Sequence, residues 1–140
     1  EKGAFLPLNR GDWNLIDERG NEGIFTKYLE KIVNDQQIQL VVTGLPVIMD
    51  KEGLTAETKR IMRTSLYKIE SIENSYTKEY ENLEVVITNA KAGEHEPILA
   101  RAAAFSQHGR TFIIITLAKT ESFDVALNEL EKLLTSINLD

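Results

Sequence analysis

The side chains able to do chemistry are few and scattered. Histidine occurs only at His95 and His108, and cysteine does not occur at all. Without cysteine there is no thiolate zinc site, no disulfide and no thiol redox chemistry. His95 is followed by Glu96, but one His-Glu pair is not the helical two-histidine spacing of a metalloprotease. It lies in the polar turn Gly93-Glu94-His95-Glu96-Pro97 and is read as a solvated loop residue. Ser106 stands two residues before His108, yet a nucleophilic serine needs a positioned base and an oxyanion hole. Near neighbours at a strand end point in different directions, and no Gly-x-Ser-x-Gly elbow is present. The acidic groups Asp12, Asp17, Glu18 and Glu22, and Asp50 with Glu52, could in principle do acid–base work or hold calcium. They lack the alternate-ligand spacing with a central glycine and are read as solvated loops. The eight glycines build no phosphate-cradling loop. The residues therefore assign no catalytic group, no metal ligand and no cofactor, and leave the binding residues unknown.

Three aromatic residues invite a binding reading. Trp13 stands beside Leu15 and Ile16 at a strand start and is expected to be core. Tyr76 and Tyr80 fall in a polar stretch and are the aromatic candidates for a partner surface.

The elements that would position such groups fit one domain spanning residues 1–140, since a chain of 140 residues buries roughly 70% of its unfolded surface. The charged fraction is 27% and the hydrophobic fraction 42%, as in ordinary globular proteins. The net charge is −6, with Lys and Arg scattered, so the electrostatic footprint of a nucleic-acid binder is missing. Anionic membrane surfaces are disfavoured for the same reason. The longest apolar run, Phe112 to Ala118, is too short to cross a bilayer. The chain begins Glu1-Lys2-Gly3, which reads as a trimmed start, left either by removal of a signal segment or by a chosen boundary.

Along the chain, Ala4 to Leu8 reads as a short strand limited to an edge by Pro7, and Trp13 to Ile16 as another after the Gly11-Asp12 turn. Ile24 to Val33 is ambiguous. Phe25, Tyr28, Leu29, Ile32 and Val33 recur at helical spacing, while Ile24-Phe25-Thr26 could begin a strand. Ile38 to Thr43 reads as a strand closed by Gly44 and Pro46. A helix is expected over 55–72, capped by Thr55, with Met62, Leu66, Ile69 and Ile72 on its inner face. The polar run Glu73 to Asn82 leads out of it. Leu83, Val85 and Ile87 mark a strand. Ile98 to Ser106 and Arg110 to Ala118 form a hairpin about His108-Gly109, where glycine accepts positive φ. Ala100, Ala102 and Ala104 make a small-residue face against which a helix can lie closely. Ser122 is expected to cap a last helix over 122–137, with a stripe of Phe123, Ala126, Leu127, Leu130, Leu133, Leu134 and Ile137 turned to the sheet. The fold class is α+β: an antiparallel sheet covered by helices.

This order of elements resembles the PsbP-like superfamily, which includes photosystem II extrinsic P subunits, Mog-type Ran-binding proteins and small bacterial lipoproteins. The likeness rests on Arg110 to Ala118 running through Glu121-Ser122-Phe123-Asp124 into Leu130 to Leu134, and on Gly11-Asp12-Trp13. It is similar to the family's closing strand, acidic-aromatic turn and last helix, and to its tryptophan near the first strand. The family carries strand where Ile24 to Val33 shows helical spacing. The resemblance implies a non-catalytic binding or assembly domain whose partner is another protein, periplasmic or membrane-anchored as a processed lipoprotein. The alternatives are a cytoplasmic adaptor of the Mog type and a small hydrolase whose site is assembled only by folding.

Overall fold

The computed structural model describes residues 13–21, 23–65, 67–80, 83–93 and 97–135. The strand expected over Ala4 to Leu8 and the residues Asp12, Glu22, Leu66, His95, Glu96 and Ile137 lie outside them. The elements run β1 (Asn14–Asn21), β2 (Ile24–Val33), β3 (Gln36–Leu45), α1 (Lys51–Thr64), β4 (Ser71–Tyr80), β5 (Leu83–Ala92), β6 (Ile98–Gln107), β7 (Arg110–Lys119) and α2 (Phe123–Thr135). Among the described residues, seven strands form one sheet in the order β1-β2-β3-β7-β6-β5-β4, antiparallel at every pairing.

The two helices cover opposite faces. Successive strand residues point to opposite sides, and the core divides accordingly. Leu54, Ile61 and Met62 of α1 pack with Val41, Ala102, Ala104, Ile113 and Ile115. Leu130, Leu133 and Leu134 of α2 pack with Val42, Ala103, Phe105, Phe112 and Ile114. The alanine face of β6 does what its residues imply: Ala100, Ala102 and Ala104 all lie in the α1 cluster. The hairpin about His108-Gly109 is also as read, with φ of 54° and 78° at its two central residues, bringing Phe105 opposite Phe112.

Three expectations change. Ile24 to Val33 is strand β2, not helix. It is buried in part on both faces, so Phe25 and Leu29 join the α2 side while Tyr28 joins the α1 side. A strand used on both faces loses its period of two, and its apolar residues then imitate helical spacing. Asn34 and Asp35, at φ 51° and 64°, close it onto β3, and these residue types tolerate the left-handed conformation.

The first helix is shifted. Asp50, not Thr55, is its N-cap, accepting from the Gly53 N–H at 2.8 Å. The Thr55 hydroxyl instead donates back to the Lys51 carbonyl at 2.9 Å. The helix stops at Thr64, where the Ser65 hydroxyl donates to the Met62 carbonyl at 3.0 Å. Ile69 is still buried, but through a return of the chain in which its N–H donates to Met62 O at 2.9 Å.

The polar run after the helix is edge strand β4. Its residues are mostly exposed, so no apolar alternation marks it. At the other end, α2 begins at Phe123 after a 3₁₀ turn over Thr120–Ser122. Ser122 is buried within that turn, immediately before the first residue of the helix.

Candidate functional site

Three connections meet at one end of the sheet: the β1–β2 turn, the β3–α1 loop and the β6–β7 hairpin. Gly23, at φ 86°, sits against Pro46, and Arg110 Nη2 donates to the Gly23 carbonyl at 2.9 Å. Ser106 and Thr111, paired across β6 and β7, hold the β3–α1 loop. The Met49 N–H donates to Ser106 Oγ at 3.0 Å, and Ser106 Oγ lies 2.6 Å from Thr111 Oγ1. Thr111 Oγ1 donates to the Val47 carbonyl at 2.8 Å. Because Thr111 spends its proton on Val47, the Ser106 hydroxyl is the donor of their pair, and it also lies 3.3 Å from the Met49 carbonyl as a second acceptor. The Ser106 hydroxyl is thus a fixed link in a structural chain, which answers the question its nearness to His108 raised. His108 itself is an exposed turn residue.

These links hold apolar side chains out in solvent. Ile24 is 45% exposed, Val47 47% and Ile48 68%. Scattered exposed apolar residues are ordinary, whereas a group of them on pinned loops is a usual mark of a protein-contact surface. Gln107 and Arg110 flank the same hairpin, and Gln107 Oε1 and Arg110 Nε are buried with no hydrogen-bond partner. Such unpaired groups concentrate where a structure does more than hold itself together. Sequence reading missed this end because Ile24 is far along the chain from Val47 and Ile48, and all three look like core.

The other sequence candidates resolve into structural roles. Trp13 is partly buried and packs against the α2-side core, with Lys31 Nζ 5.4 Å from its ring centroid. Lys31 reaches Glu129 at 2.8 Å, with their side chains 15% and 7% exposed. Burial alone pushes the Glu129 carboxyl up, but the bonds from Lys31 and Lys132 outweigh it and hold the group below the usual carboxylate range. An open depression of about 440 Å³ adjoins this pair, lined by Val33, Asn34, Val125 and Asn128 among others. Both Glu129 oxygens already serve lysines, so the pair reads as a tie between β2 and α2.

Asp17 pairs locally with Arg19 at 3.2 Å, Glu18 is exposed, and Asp50 with Glu52 serves the α1 N-terminus. Tyr76 is exposed on β4, while Tyr80 is partly buried and donates its hydroxyl to Glu131 Oε2 at 2.8 Å. Burial and Glu131 raise the Tyr80 pKa. Among the described residues, no group of three His, Cys, Asp or Glu side chains is placed to hold a metal ion. No helix among them is long and apolar enough to cross a membrane.

A seven-stranded antiparallel sheet between two helices, with the last strand feeding the last helix, defines the class of fold. It is PsbP-like. The solution structure of cyanobacterial PsbP (CyanoP) from Synechocystis sp. PCC 6803 matches at a TM-score of 0.59 and 12% identity, over 93% of this chain and 83% of that one. The crystal structure of PA94, a Pseudomonas aeruginosa protein of unknown function, matches at 0.58 and 7% identity, over 91% and 97%. No protein-family model matches the sequence, and no curated protein matches it.

Proposed function

We propose that this chain is a non-catalytic binding or assembly domain that docks another protein through the loop end of its sheet. Residues 1–140 act as one domain in this reading. The observation that carries it is the exposure of Ile24, at the start of β2, and of Val47 and Ile48, in the β3–α1 loop, at an end tied down by Ser106, Thr111 and Arg110. A pinned apolar surface loses little conformational entropy on binding, which favours a protein contact. The PsbP-like fold supports the non-catalytic assignment, and the use of Ser106 and Glu129 as structural ties agrees with it.

A photo-crosslinking residue at Ile48 tests the docking surface. It should capture a discrete partner in the native cell, and Ile24→Asp should abolish the capture without changing the melting curve. Capture no stronger than from Arg63, exposed on α1, would sink the reading.

Placement outside the cytoplasm, periplasmic or through a processed lipoprotein anchor, belongs to the same proposal and rests on the likeness to PsbP-like proteins. Fractionation of the full-length product decides it. Recovery with a cytoplasmic marker would favour the Mog-type adaptor instead.

A further inference from the structure

The α2 helix crosses its face of the sheet from β3 and β7 toward β5. It runs from Ala126 beside Ile38 and Ala118 to Leu133 and Leu134, in the same cluster as Leu83 and Val85, with Tyr80 packed against it. The corner over β4, β5 and β6 is different in chemistry. One row across the sheet reads Thr116, Arg101, Asn89, Asn74. The next row inward reads Ile114, Ala103, Ile87, Tyr76. The rows on either side also carry a charge, Lys91 beyond it and Lys78 further in, but only this row is polar on β4, β5, β6 and β7 alike.

Its hydrogen bonds run in one direction. Arg101 Nε donates to Asn89 Oδ1 at 2.7 Å, and Asn89 Nδ2 donates to Asn74 Oδ1 at 2.8 Å. Two amides in series hold the partly buried guanidinium in a set plane. Among the described residues, no hydrogen bond or ion pair reaches its Nη nitrogens. The other cations of the corner are already paired. Lys78 lies 3.1 Å from Glu131, and Lys91 lies 3.2 Å from Glu73. Arg101 makes no such bridge, although its charge helps lower the Glu131 pKa. Arg101 thus stands as the cation of this corner without an ion pair among the described residues, and Tyr76, exposed on β4, lies in the neighbouring row.

We propose that this corner is a carboxylate-binding site, with Arg101 as the anion anchor and Asn89 and Asn74 as the residues that orient it. The guanidinium edge presents two parallel N–H donors, which match the two oxygens of a carboxylate. A single cation fits a monoanion, and the nearby Glu131 disfavours a phosphate dianion. The carboxylate belongs either to a free organic acid or to a polypeptide, as a side chain or C-terminus.

The probe is sodium acetate at constant ionic strength, with sodium chloride as control, followed by NMR at the Arg101 Nε–H and the Asn89 side-chain amide. Saturable shifts are expected with acetate and not with chloride. Arg101→Gln should weaken binding about tenfold or more, the scale of one charged hydrogen bond. Asn89→Ala should weaken it less while the guanidinium remains, and Arg101→Lys should not restore it. A short peptide with a free C-terminal carboxylate that outbinds acetate and loses binding on amidation identifies a polypeptide source. Equal binding of the two identifies free acids. Linear shifts shared with chloride, tighter binding of inorganic phosphate, or wild-type titration of an Arg101→Gln protein with an unchanged melting curve would each overturn the site.

Discussion

The two faces of the sheet differ most at β6, which gives Ala100, Ala102 and Ala104 to one and Ala103 and Phe105 to the other. On the α1 face the sheet offers Ala100, Ala102 and Ala104, and the helix supplies bulk through Leu54, Ile61 and Met62. On the α2 face the sheet itself is bulky, with Phe105, Phe112 and Ile114, and the helix adds Leu130, Leu133 and Leu134. The polar ties differ too. The α1 face fastens its incoming loop with hydroxyls at Ser106 and Thr111, whereas the α2 face fastens its helix with charges at Lys31 and Glu129. A small-residue sheet face admits a close helix but no added volume. A large-residue face resists loss of volume instead. The two faces should therefore fail under opposite substitutions.

The largest effect is expected from emptying the α2 face. Leu130 is 2% exposed, and Leu130→Ala should cost roughly 2–5 kcal/mol in denaturant unfolding. A loss within about 0.5 kcal/mol would mean that α2 does not pack as described. The converse test fills the α1 face. Ala102 is 0% exposed, so Ala102→Leu should cost roughly 1–3 kcal/mol by forcing α1 away. A neutral result there would erase the contrast between the faces.

The polar ties are smaller and separable. Ser106→Ala leaves the Met49 N–H without its acceptor and should cost about 1 kcal/mol. Its mark should be faster amide exchange at Met49 with little change at Leu130. Unchanged exchange at Met49 would show that the loop is held by other means. The smallest effect is a dependence on pH. The folded Glu129 carboxyl is held below its usual range, so its share of stability is present above the unfolded value of about 4.3. That share is lost as pH falls through the lowered folded value. The stability gap between wild type and Glu129→Gln should therefore narrow as pH drops below about 4. A gap that stays constant into acid would show that the pair does not act through charge.

The loop end bears on this contrast because it belongs to neither face. Ser106 lies one residue from the end of the alanine strand, and Phe25 packs over Gly44, where an added Cβ would meet its ring at 2.2 Å. Phe25 in turn lies 6.5 Å from Phe112, ring centre to ring centre. Both faces thus brace the end that displays Ile24, Val47 and Ile48, and damage to either should reach it.

What the residues alone determined is local and patterned. The Leu83, Val85, Ile87 alternation, the His108-Gly109 hairpin, the alanine face and the Leu130 stripe each follow from a rule about neighbours a few positions apart. Together they imply the antiparallel sheet, the covering helices and the PsbP-like resemblance. Asn34-Asp35 was a legible turn signal as well, and it argues for strand in β2 where the apolar spacing misled. Tertiary structure decided the rest. Ile24 to Val33 is a strand because β1 and β3 take its backbone hydrogen bonds on both sides, a condition that no local period records. Ser71 to Tyr80 became an edge strand by pairing with β5, so its polar residues needed no apolar face. Gly23 against Pro46, and Arg101 held by Asn89, are juxtapositions of distant segments. Burial and pairing there depend on which surfaces meet, and a chain read one residue after another does not contain that distance.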